Sequence, residues 1–364
     1  MSRWGTFDTC HDRVFTLARR ILGFGSLGLV VGLVLGGLVL ASCGGSNTSG
    51  EAPTTRTGSA AVLDQRAGGQ ASVVATADGI LVAISYGIGD QPTCPAGPVG
   101  LVDESGRLGW RAEPPAQLFT VAGRASDSNV VADGVGTDCR PGPFVSTDAG
   151  VGWQPRSRPD GFTLPMPWLA LDPGGNRVLA WTAGRVFETA DLGATWTSRP
   201  SSARPLAIAP DGRLFGWWAR GIVTSTDGGG RWSPYSLDAG AAIGQPRAAV
   251  TWGDGVVTAG TDGLVRVDPA GDRLVLDEGD ALAVATGGRP GSEFLVAVVV
   301  APDGSTRLVV AAQPDAIAVE RIPLPDAALP AKRAVASVAA TASQIVLALG
   351  DGQTVVLVRV PVIR

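Results

Sequence analysis

Histidine is almost absent from this sequence: the 364 residues include one, His11, and it lies near the N-terminus. The rest of the chain therefore has no imidazole for a Ser-His-Asp triad or for the zinc sites that use histidine. Lysine is equally scarce, since Lys332 is the only one, and the net charge is −4. Such a chain lacks the clustered cations that nucleic-acid binding needs. Phosphate-binding and calcium-binding loop motifs are missing too, so we expect no nucleic-acid partner, no metal site and no cofactor.

Long apolar runs are also rare, and the one that stands out lies near the N-terminus. Residues 21–42 are uncharged and almost wholly apolar, and a segment with four arginines precedes them. This order is typical of a secretory signal peptide. A run of this length could instead span a bilayer as an uncleaved anchor. Both interpretations predict that the rest of the chain lies outside the cytoplasm.

The end of the apolar run carries a more specific signal. Leu40, Ala41 and Ser42 precede Cys43, and this ending resembles the lipobox of bacterial lipoproteins. The resemblance implies that residues 1–42 are removed and that Cys43 carries a diacylglycerol, which would anchor the protein in the membrane. Residues 43–70 are rich in Gly, Ser and Thr, which is typical of a flexible tether. We predict one folded domain over residues 71–364.

Cysteine is sparse, with four residues in the whole chain. Cys10 lies in the leader and Cys43 occupies the lipid position, so Cys94 and Cys139 remain. An even pair in an oxidising compartment favours a disulfide. We therefore predict a Cys94–Cys139 bond.

Three eight-residue stretches, here called octets, share the pattern Ser/Thr-x-Asp-x-Gly-x-x-Trp: STDAGVGW, TADLGATW and STDGGGRW. An Asp just after a strand can accept hydrogen bonds from the backbone N–H groups of a turn. The glycine permits left-handed backbone, and the Trp offers a large face for packing. We interpret each octet as a locked hairpin, with contact to a carbohydrate or a metal as the alternative. The pattern positions are Ser146, Asp148, Gly150, Trp153, Thr189, Asp191, Gly193, Trp196, Ser225, Asp227, Gly229 and Trp232.

Short apolar runs separated by Asp-Gly turns recur through the rest of the chain. The clearest unit, residues 205–235, contains four such runs, as a four-stranded meander would. In the second unit we assign the turn to Asp133-Gly134. Similar units cover residues 72–112, 117–156, 168–198, 248–276, 281–322 and 336–362. This spacing predicts an all-β protein, a β-propeller with seven four-stranded blades, and a flat β-sandwich is the alternative.

The octets resemble the Asp box, or BNR repeat, of sialidase-type propellers. The resemblance covers most of residues 71–364, although the octet itself occurs only in the second to fourth units. The first unit has a stretched version from Asp103 to Trp110. The resemblance implies that the octets lie on the face away from ligands. Cys94 and Cys139 each fall between the second and third strands of a unit, so their bond would join two loops of the opposite face, as a functional restraint or as a plain staple.

Sialidase chemistry would need an arginine triad, a Tyr–Glu pair and an Asp acid/base, and the sequence does not provide this set. Tyr86 lies in the first blade, far ahead of where the nucleophile belongs, and Tyr235 follows an octet, on the wrong side of its blade. An acidic cluster, Asp277, Glu278 and Asp280, falls in a connection, where we expect it to be solvated. Five arginines recur in the connections between blades and could form an anion-binding rim: Arg156, Arg158, Arg199, Arg204 and Arg247.

These features predict a non-catalytic, lipid-anchored monomer that acts as a binding or assembly scaffold for a protein or glycan of the cell envelope. The alternative is a divergent sialidase-type glycoside hydrolase. That alternative requires two carboxylates facing each other in a central pocket, at the separations that glycosidases use.

Overall fold

A computed structural model of the protein describes residues 56–86, 94–111, 114, 116–161, 168–171, 177–182, 184–219, 221–235, 244–289, 292–314, 319–324 and 335–363. These residues belong to one compact unit, Pro53–Arg364. Every helix or strand assigned within them is a β-strand, which confirms the all-β prediction. In this part of the chain, no helix has the length and apolar character needed to cross a bilayer. The predicted signal peptide and Cys43 lie outside the described residues.

The strands form seven antiparallel sheets, one for each predicted blade. The first two blades contain β3 (Gln70–Thr76), β4 (Gly79–Ser85), β5 (Val99–Val102) and β6 (Leu108–Trp110), then β7 (Ala116–Gly123), β8 (Val130–Gly136), β9 (Pro141–Ser146) and β10 (Gln154–Pro155). The next two contain β11 (Trp168–Leu171), β12 (Val178–Thr182), β13 (Arg185–Thr189) and β14 (Thr197–Pro200), then β15 (Arg204–Ile208), β16 (Leu214–Trp218), β17 (Gly221–Ser225) and β18 (Ser233–Pro234). The fifth and sixth contain β19 (Pro246–Trp252), β20 (Gly255–Gly260), β21 (Gly263–Val267) and β22 (Arg273–Asp277), then β23 (Asp280–Gly287), β24 (Phe294–Val300), β25 (Thr306–Ala311) and β26 (Val319–Pro323). The seventh contains β27 (Val335–Ala340), β28 (Gln344–Gly350) and β29 (Thr354–Ile363), with β1 (Arg56–Thr57) and β2 (Ala61–Ala67) paired to β29.

The apolar core lies between the blades. Buried apolar side chains form seven clusters, one between each pair of neighbouring blades, including a cluster between the seventh blade and the first. Strands β4 and β28 are buried along their whole length, because a blade has a neighbour on both faces. This is why their sequences, GILVAIS and QIVLALG, are nearly continuous apolar runs instead of alternating ones.

The two ends of the sheets carry different parts of each blade. The turns from the first to the second strand and from the third to the fourth lie at one end, here called the box face because it includes the octets that begin at Ser146, Thr189 and Ser225. The loops from the second to the third strand and the connections between blades lie at the other end, here called the loop face. The loop face includes Cys94 and Cys139, which follow β4 and β8.

The ring is closed by residues that the sequence pattern assigned to a tether. The prediction placed a flexible tether over residues 43–70, but within it β2 pairs with β29 from Ala61↔Arg359 to Ala67↔Thr354. The seventh blade therefore takes its outer strand from the N-terminal side of the propeller. The propeller begins before residue 71, since backbone pairing with a distant strand overrides the polar local composition.

One predicted turn is also wrong. Asp133 and Gly134 lie inside β8, and the chain instead turns between Arg124 and Asn129, where Asp127 N–H donates to the Arg124 carbonyl oxygen. Asp133 is fully buried and its carboxylate accepts a hydrogen bond from Thr120 N–H at 2.8 Å, next to a bulge in the pairing of β7 with β8. An Asp-Gly pair is usually a turn signal, but here the Asp satisfies a backbone group that the bulge leaves unpaired.

Candidate functional site

The octets are hairpins held by their own side chains. In the second blade, Ser146 Oγ accepts a hydrogen bond from Gly150 N–H at 2.7 Å and donates to Asp148 Oδ1 at 2.8 Å. Asp148 Oδ1 also accepts from Gly152 N–H at 2.8 Å. Trp153 is buried, and its indole N–H donates to the Gly150 carbonyl oxygen at 3.1 Å. The motif thus satisfies most of the polar groups of its own turn.

The other two octets repeat this arrangement. Asp191 accepts from Thr195 N–H at 2.9 Å, and Asp227 accepts from Arg231 N–H at 2.9 Å. Hydrogen bonds from Thr189 and Thr195 lower the pKa of Asp191 to about 2, and the backbone N–H of Arg231 leads the bonds that lower the pKa of Asp227. All three carboxylates are therefore ionised at neutral pH and bonded within their own hairpins. The hydrogen bonds that the structure shows for each carboxylate come from its own octet.

Backbone geometry explains the glycine of the pattern. Residues 4 and 5 of each octet have positive φ: 51° at Ala149 and 85° at Gly150, 52° at Leu192 and 88° at Gly193, and similar values in the fourth blade. Glycine adopts this left-handed region without steric cost, whereas a residue with a Cβ is strained there. The turn therefore selects glycine at position 5, and at position 4 two of the three octets tolerate the strain.

The stretched version of the octet in the first blade, from Asp103 to Trp110, differs in the contact that its Trp makes. Asp103 still accepts from Ser105 Oγ at 2.6 Å and from Arg107 N–H at 3.0 Å. Its Trp110, however, donates from the indole N–H to Asp64 in β2 at 3.0 Å, and the guanidinium of Arg66 lies 3.8 Å from the ring centroid. The outer strand of the first blade thereby fastens the strand that closes the seventh, a contact between residues far apart in sequence that local patterns did not predict.

The disulfide joins the first two blades on the loop face. Cys94 and Cys139 are bonded, with Cα atoms 5.4 Å apart, which confirms the predicted pair. The loop that holds Cys94 is also attached to β7, since Gly97 N–H donates to the Ala116 carbonyl oxygen at 3.1 Å and Gln117 Nε2 donates to the Pro95 carbonyl oxygen at 3.2 Å. Residues 94–98 are therefore held against the second blade at three points.

Two aromatic side chains are exposed on the loop face. Tyr86, just after β4, is 46% exposed, and Trp218, at the end of β16, is 54% exposed. Trp218 pairs with Gly221, whose missing side chain leaves the indole uncovered, and Ala219 in the connecting turn has a φ of 47°. In the part of the chain whose side chains the structure describes, every other aromatic residue is buried or half-buried. Trp218 was not among the residues singled out from the sequence. Its signal was a second consecutive Trp directly before a two-residue turn, which is where a strand ends.

A cavity of about 460 Å³ lies among the inner strands. Arg204 and Arg247 are the charged side chains in its described lining, which includes no carboxylate. Arg204 donates to the Pro246 carbonyl oxygen, and Arg247 Nη1 donates to Asp280 Oδ1 at 2.6 Å. Burial lowers the pKa of Arg204. The pair of facing carboxylates that glycoside hydrolysis requires is therefore not found in the described lining of this cavity.

The predicted arginine rim is only partly assembled. Arg199 lies in β14 and binds Glu188 and the Asp227 carbonyl oxygen, so it belongs to the contact between the third and fourth blades. Arg156 packs beside Gly193, whose Cβ would lie 3.2 Å from its Cγ. Arg158 is exposed. Two of the five arginines, Arg204 and Arg247, line the cavity.

The acidic cluster also differs from expectation. The Asp277 side chain is 1% exposed and accepts hydrogen bonds from Arg307 and from Arg321 Nε, the latter at 3.0 Å. It is therefore a buried ion-pair centre and not a solvated acid. Asp280 forms an ion pair with Arg247. Across the described residues, no three His, Cys, Asp or Glu side chains come together as a metal site would require.

Comparison with known proteins supports the fold. No protein-family model matches the sequence, and no curated protein matches it. Among solved structures, YCF48 bound to a D1 peptide is similar, with a TM-score of 0.55, 13% identity, and coverage of 86% of this chain and 96% of that one. YCF48 from Cyanidioschyzon merolae has a TM-score of 0.51, 14% identity, and coverage of 83% and 98%. A chain of the mitotic checkpoint complex has a TM-score of 0.50, 12% identity, and coverage of 84% and 90%. At such identities the similarity shows the seven-bladed propeller fold alone.

Proposed function

We propose that this protein is a lipid-anchored, extracytoplasmic β-propeller that binds a protein of the cell envelope on its loop face. The diacylglycerol is carried by Cys43, and the propeller acts as a non-catalytic binding or assembly scaffold. The octets serve as Asp boxes in a structural role on the opposite face. A glycan is the second candidate ligand for the same surface.

The observation that carries this proposal is the distribution of exposed aromatic side chains. Tyr86 and Trp218 stand on the loop face, in the first and fourth blades of a ring of seven, so they lie far apart around the rim. Exposed Trp and Tyr are enriched among residues that dominate binding energies between proteins. The Cys94–Cys139 bond holds residues 94–98, which belong to the same face, against the second blade, and such restraint reduces the entropy lost on binding.

The structural neighbours point in the same direction. One YCF48 structure contains a bound D1 peptide, and another similar chain belongs to the mitotic checkpoint complex. A ligand-binding propeller without catalytic groups is consistent with both. Fold similarity does not transfer function, so the loop-face side chains, and not the neighbours, identify the surface.

A hydrolase is the less favoured alternative. The inner cavity offers Arg204 and Arg247 but no carboxylate in its described lining. Asp277, the most buried acid of the predicted cluster, is held by two arginines and lies between the fifth and sixth blades. Asp277 and Asp280 are each engaged in ion pairs with arginines, so neither is placed as the acid or base of a hydrolase.

The proposal is tested by proximity labelling in intact envelopes. The wild-type protein and the Trp218→Ala and Tyr86→Ala variants are fused to the same labelling enzyme. We expect a defined set of neighbours that either loop-face substitution reduces at least several-fold. Val151→Ala is the matched control, because Val151 is an exposed apolar side chain on the box face, and it should leave the set unchanged.

Two results would count against this function. Equal labelling by the wild type and both loop-face variants would show that these loop-face side chains do not bind the partner. Turnover of a fluorogenic sialoside by the purified protein, together with no enriched neighbour, would favour the hydrolase. Enrichment abolished by prior glycan digestion of the envelopes would assign the ligand to a glycan.

A further inference from the structure

Two cavities among the inner strands form a central channel that is charged at one end. The cavity of about 460 Å³ is lined by β3, β7, β11, β15, β19 and β23, the inner strands of the first six blades. A second cavity, of about 330 Å³, shares Arg247 and Val284 with it and adds β27 of the seventh blade. Arg204 is the first residue of β15 and Arg247 is the second of β19. Both arginines therefore lie at the loop-face end of the channel, here called the channel mouth.

Arg204 carries a positive charge that no carboxylate among the described residues neutralises. It is half-buried, and its guanidinium donates to the carbonyl oxygen of Pro246, which is a neutral acceptor. Burial lowers the pKa of Arg204, yet an arginine stays ionised at neutral pH. Charges that are taken out of water are usually paired with an opposite charge. A guanidinium in this setting favours an anion that comes from outside the chain.

A β-bulge places Arg247 at the channel mouth. Arg247 is the extra residue where the pairing of β19 with β20 shifts. Strands β7, β15 and β23 have bulges in the same hairpin of their blades, and their extra residues are Phe119, Leu206 and Leu282, all apolar and buried. Bulges re-aim side chains and are common next to functional sites. An arginine at a position that these strands fill with apolar side chains indicates a role other than core packing.

The charge balance of the channel mouth favours an anion with a single charge. Arg247 forms an ion pair with Asp280, and the two side chains are 45% and 40% exposed, so this pair adds little net charge. Arg204 then contributes one positive charge. A carboxylate carries one negative charge and accepts two parallel hydrogen bonds from a guanidinium. A phosphate group carries about −1.5 to −2, which exceeds the charge that the mouth offers.

The channel mouth adjoins the surface that the proposed function assigns to binding. Trp217 is the strand partner of Arg204, and the exposed Trp218 follows it directly. Pockets of roughly 300–1,000 Å³ hold groups of small-molecule size. The channel therefore accommodates a side chain or the end of a chain, whereas a folded domain would stay outside on the loop face.

We propose that the channel mouth binds a carboxylate of the ligand protein, through Arg204 and with Arg247 beside it. The carboxylate belongs to an Asp or Glu side chain, or to the C-terminus, of an extended segment whose neighbouring residues contact Trp218. This inference rests on the proposed function for the nature of the ligand as a protein. It adds the chemical group that the loop face recognises.

Titration with short peptides measures this site. The full-length protein in a non-ionic detergent is titrated with Ac-Gly-Asp-Gly-amide, with Ac-Gly-Gly-Gly that has a free C-terminal carboxylate, and with the neutral Ac-Gly-Asn-Gly-amide, by saturation-transfer NMR. We expect one of the acidic peptides to bind about tenfold more tightly than the neutral one, and the tighter of the two identifies the source of the carboxylate. Arg204→Gln should abolish this preference, and Arg204→Lys should retain part of it because the charge remains.

Two further variants keep the test independent of folding. Arg185→Gln is the matched control, because Arg185 begins β13 on the loop face, donates to Ser198 Oγ at 2.8 Å and lies outside the described lining of both cavities. It removes the same charge and should leave peptide binding unchanged. Asp280→Asn removes the counter-charge of Arg247 and should tighten binding of the acidic peptides several-fold. A gain of affinity of this kind does not arise from misfolding.

Several results would overturn the inference. Equal binding of acidic and neutral peptides, or unchanged binding by Arg204→Gln, would show that the mouth is not a carboxylate site. Tighter binding of inorganic phosphate would refute the preference for a single charge, and tighter binding of N-acetylneuraminate would refute a peptide as the ligand.

The outcomes also separate this inference from the proposed function. Peptide binding that depends on Arg204, together with no enriched neighbour in intact envelopes, would keep the carboxylate site and refute the scaffold function. Labelled neighbours that depend on Trp218, together with no binding of either acidic peptide, would keep the scaffold function and refute the carboxylate site.

Discussion

Arg199 of the third blade donates from Nη1 to the backbone carbonyl oxygen of Asp227 in the fourth blade, at 2.9 Å. The same guanidinium pairs with Glu188, whose other carboxylate oxygen accepts from Arg177 Nε at 2.7 Å. An equivalent contact joins the first two blades, where Arg111 Nη1 donates to the Ala149 carbonyl oxygen at 2.7 Å. The octets of the second and fourth blades are thus fastened to the preceding blade as well as to themselves.

Removing this link should weaken the propeller measurably. Arg199→Ala leaves the Asp227 carbonyl oxygen to water but keeps the Arg177–Glu188 pair. We expect the free energy of unfolding to fall by about 1 kcal/mol, because the pair is partly solvent-exposed. Urea unfolding followed by Trp fluorescence measures the change. Arg231→Ala is the control, since its backbone N–H and not its guanidinium binds Asp227; an equal loss in both variants would contradict the assignment.

The carboxylate of Asp191 should make stability depend on acid. Its pKa is about 2 in the folded protein, against an ordinary value of 3.8. A folded-state pKa below the unfolded one contributes stability that is complete above the unfolded value and is lost as pH falls through the folded one. Between about pH 4 and pH 2, the wild type should therefore lose stability more steeply than Asp191→Asn, which should already be less stable at pH 7. Urea midpoints measured across this range for both proteins provide the comparison, and parallel curves would contradict the prediction.

Strand β2 should be essential to the closed ring. A chain without residues 44–67 leaves β29 as an uncovered edge and loses the contact of Asp64 with Trp110. Unpaired apolar edges promote aggregation. We expect a thermal midpoint lower by roughly 10 °C, as the loss of several kcal/mol produces, or insoluble protein. Removing only residues 44–54 keeps both β1 and β2 and should leave the midpoint, read by circular dichroism, unchanged.

Asp277 should matter more than its neighbour in sequence, Asp280. Asp277→Ala leaves Arg307 and Arg321 without their buried partner, which typically costs about 3 kcal/mol. Asp280→Ala breaks a half-exposed pair with Arg247, for which less than about 1 kcal/mol is expected. Denaturant titrations of the two variants rank them directly. A larger loss of stability for Asp280→Ala would contradict the prediction that the buried ion pair of Asp277 contributes more than the half-exposed pair of Asp280.

Patterns within single blades could be predicted from the sequence because they depend on neighbours along the chain. The octet hairpins follow from an Asp, a glycine in left-handed backbone and a Trp placed within eight residues. The repeat of apolar runs identified all seven blades, and the even cysteine count identified the Cys94–Cys139 bond. Each of these rests on turn chemistry or on composition, which act over short distances.

Tertiary structure decided what depends on residues brought together from distant parts of the chain. Pairing with β29 makes the polar segment β2 the strand that closes the ring. A bulge opposite Asp133 places an Asp-Gly pair inside a strand, where the sequence predicted a turn. An ion pair with Arg321 accompanies the burial of Asp277, which the sequence predicted to be solvated. The exposure of Trp218 on the loop face also depends on tertiary structure, because its strand partner Gly221 has no side chain to cover the indole. Local sequence determines the hairpins, whereas burial and long-range pairing determine which polar groups are satisfied and which surface is left to bind.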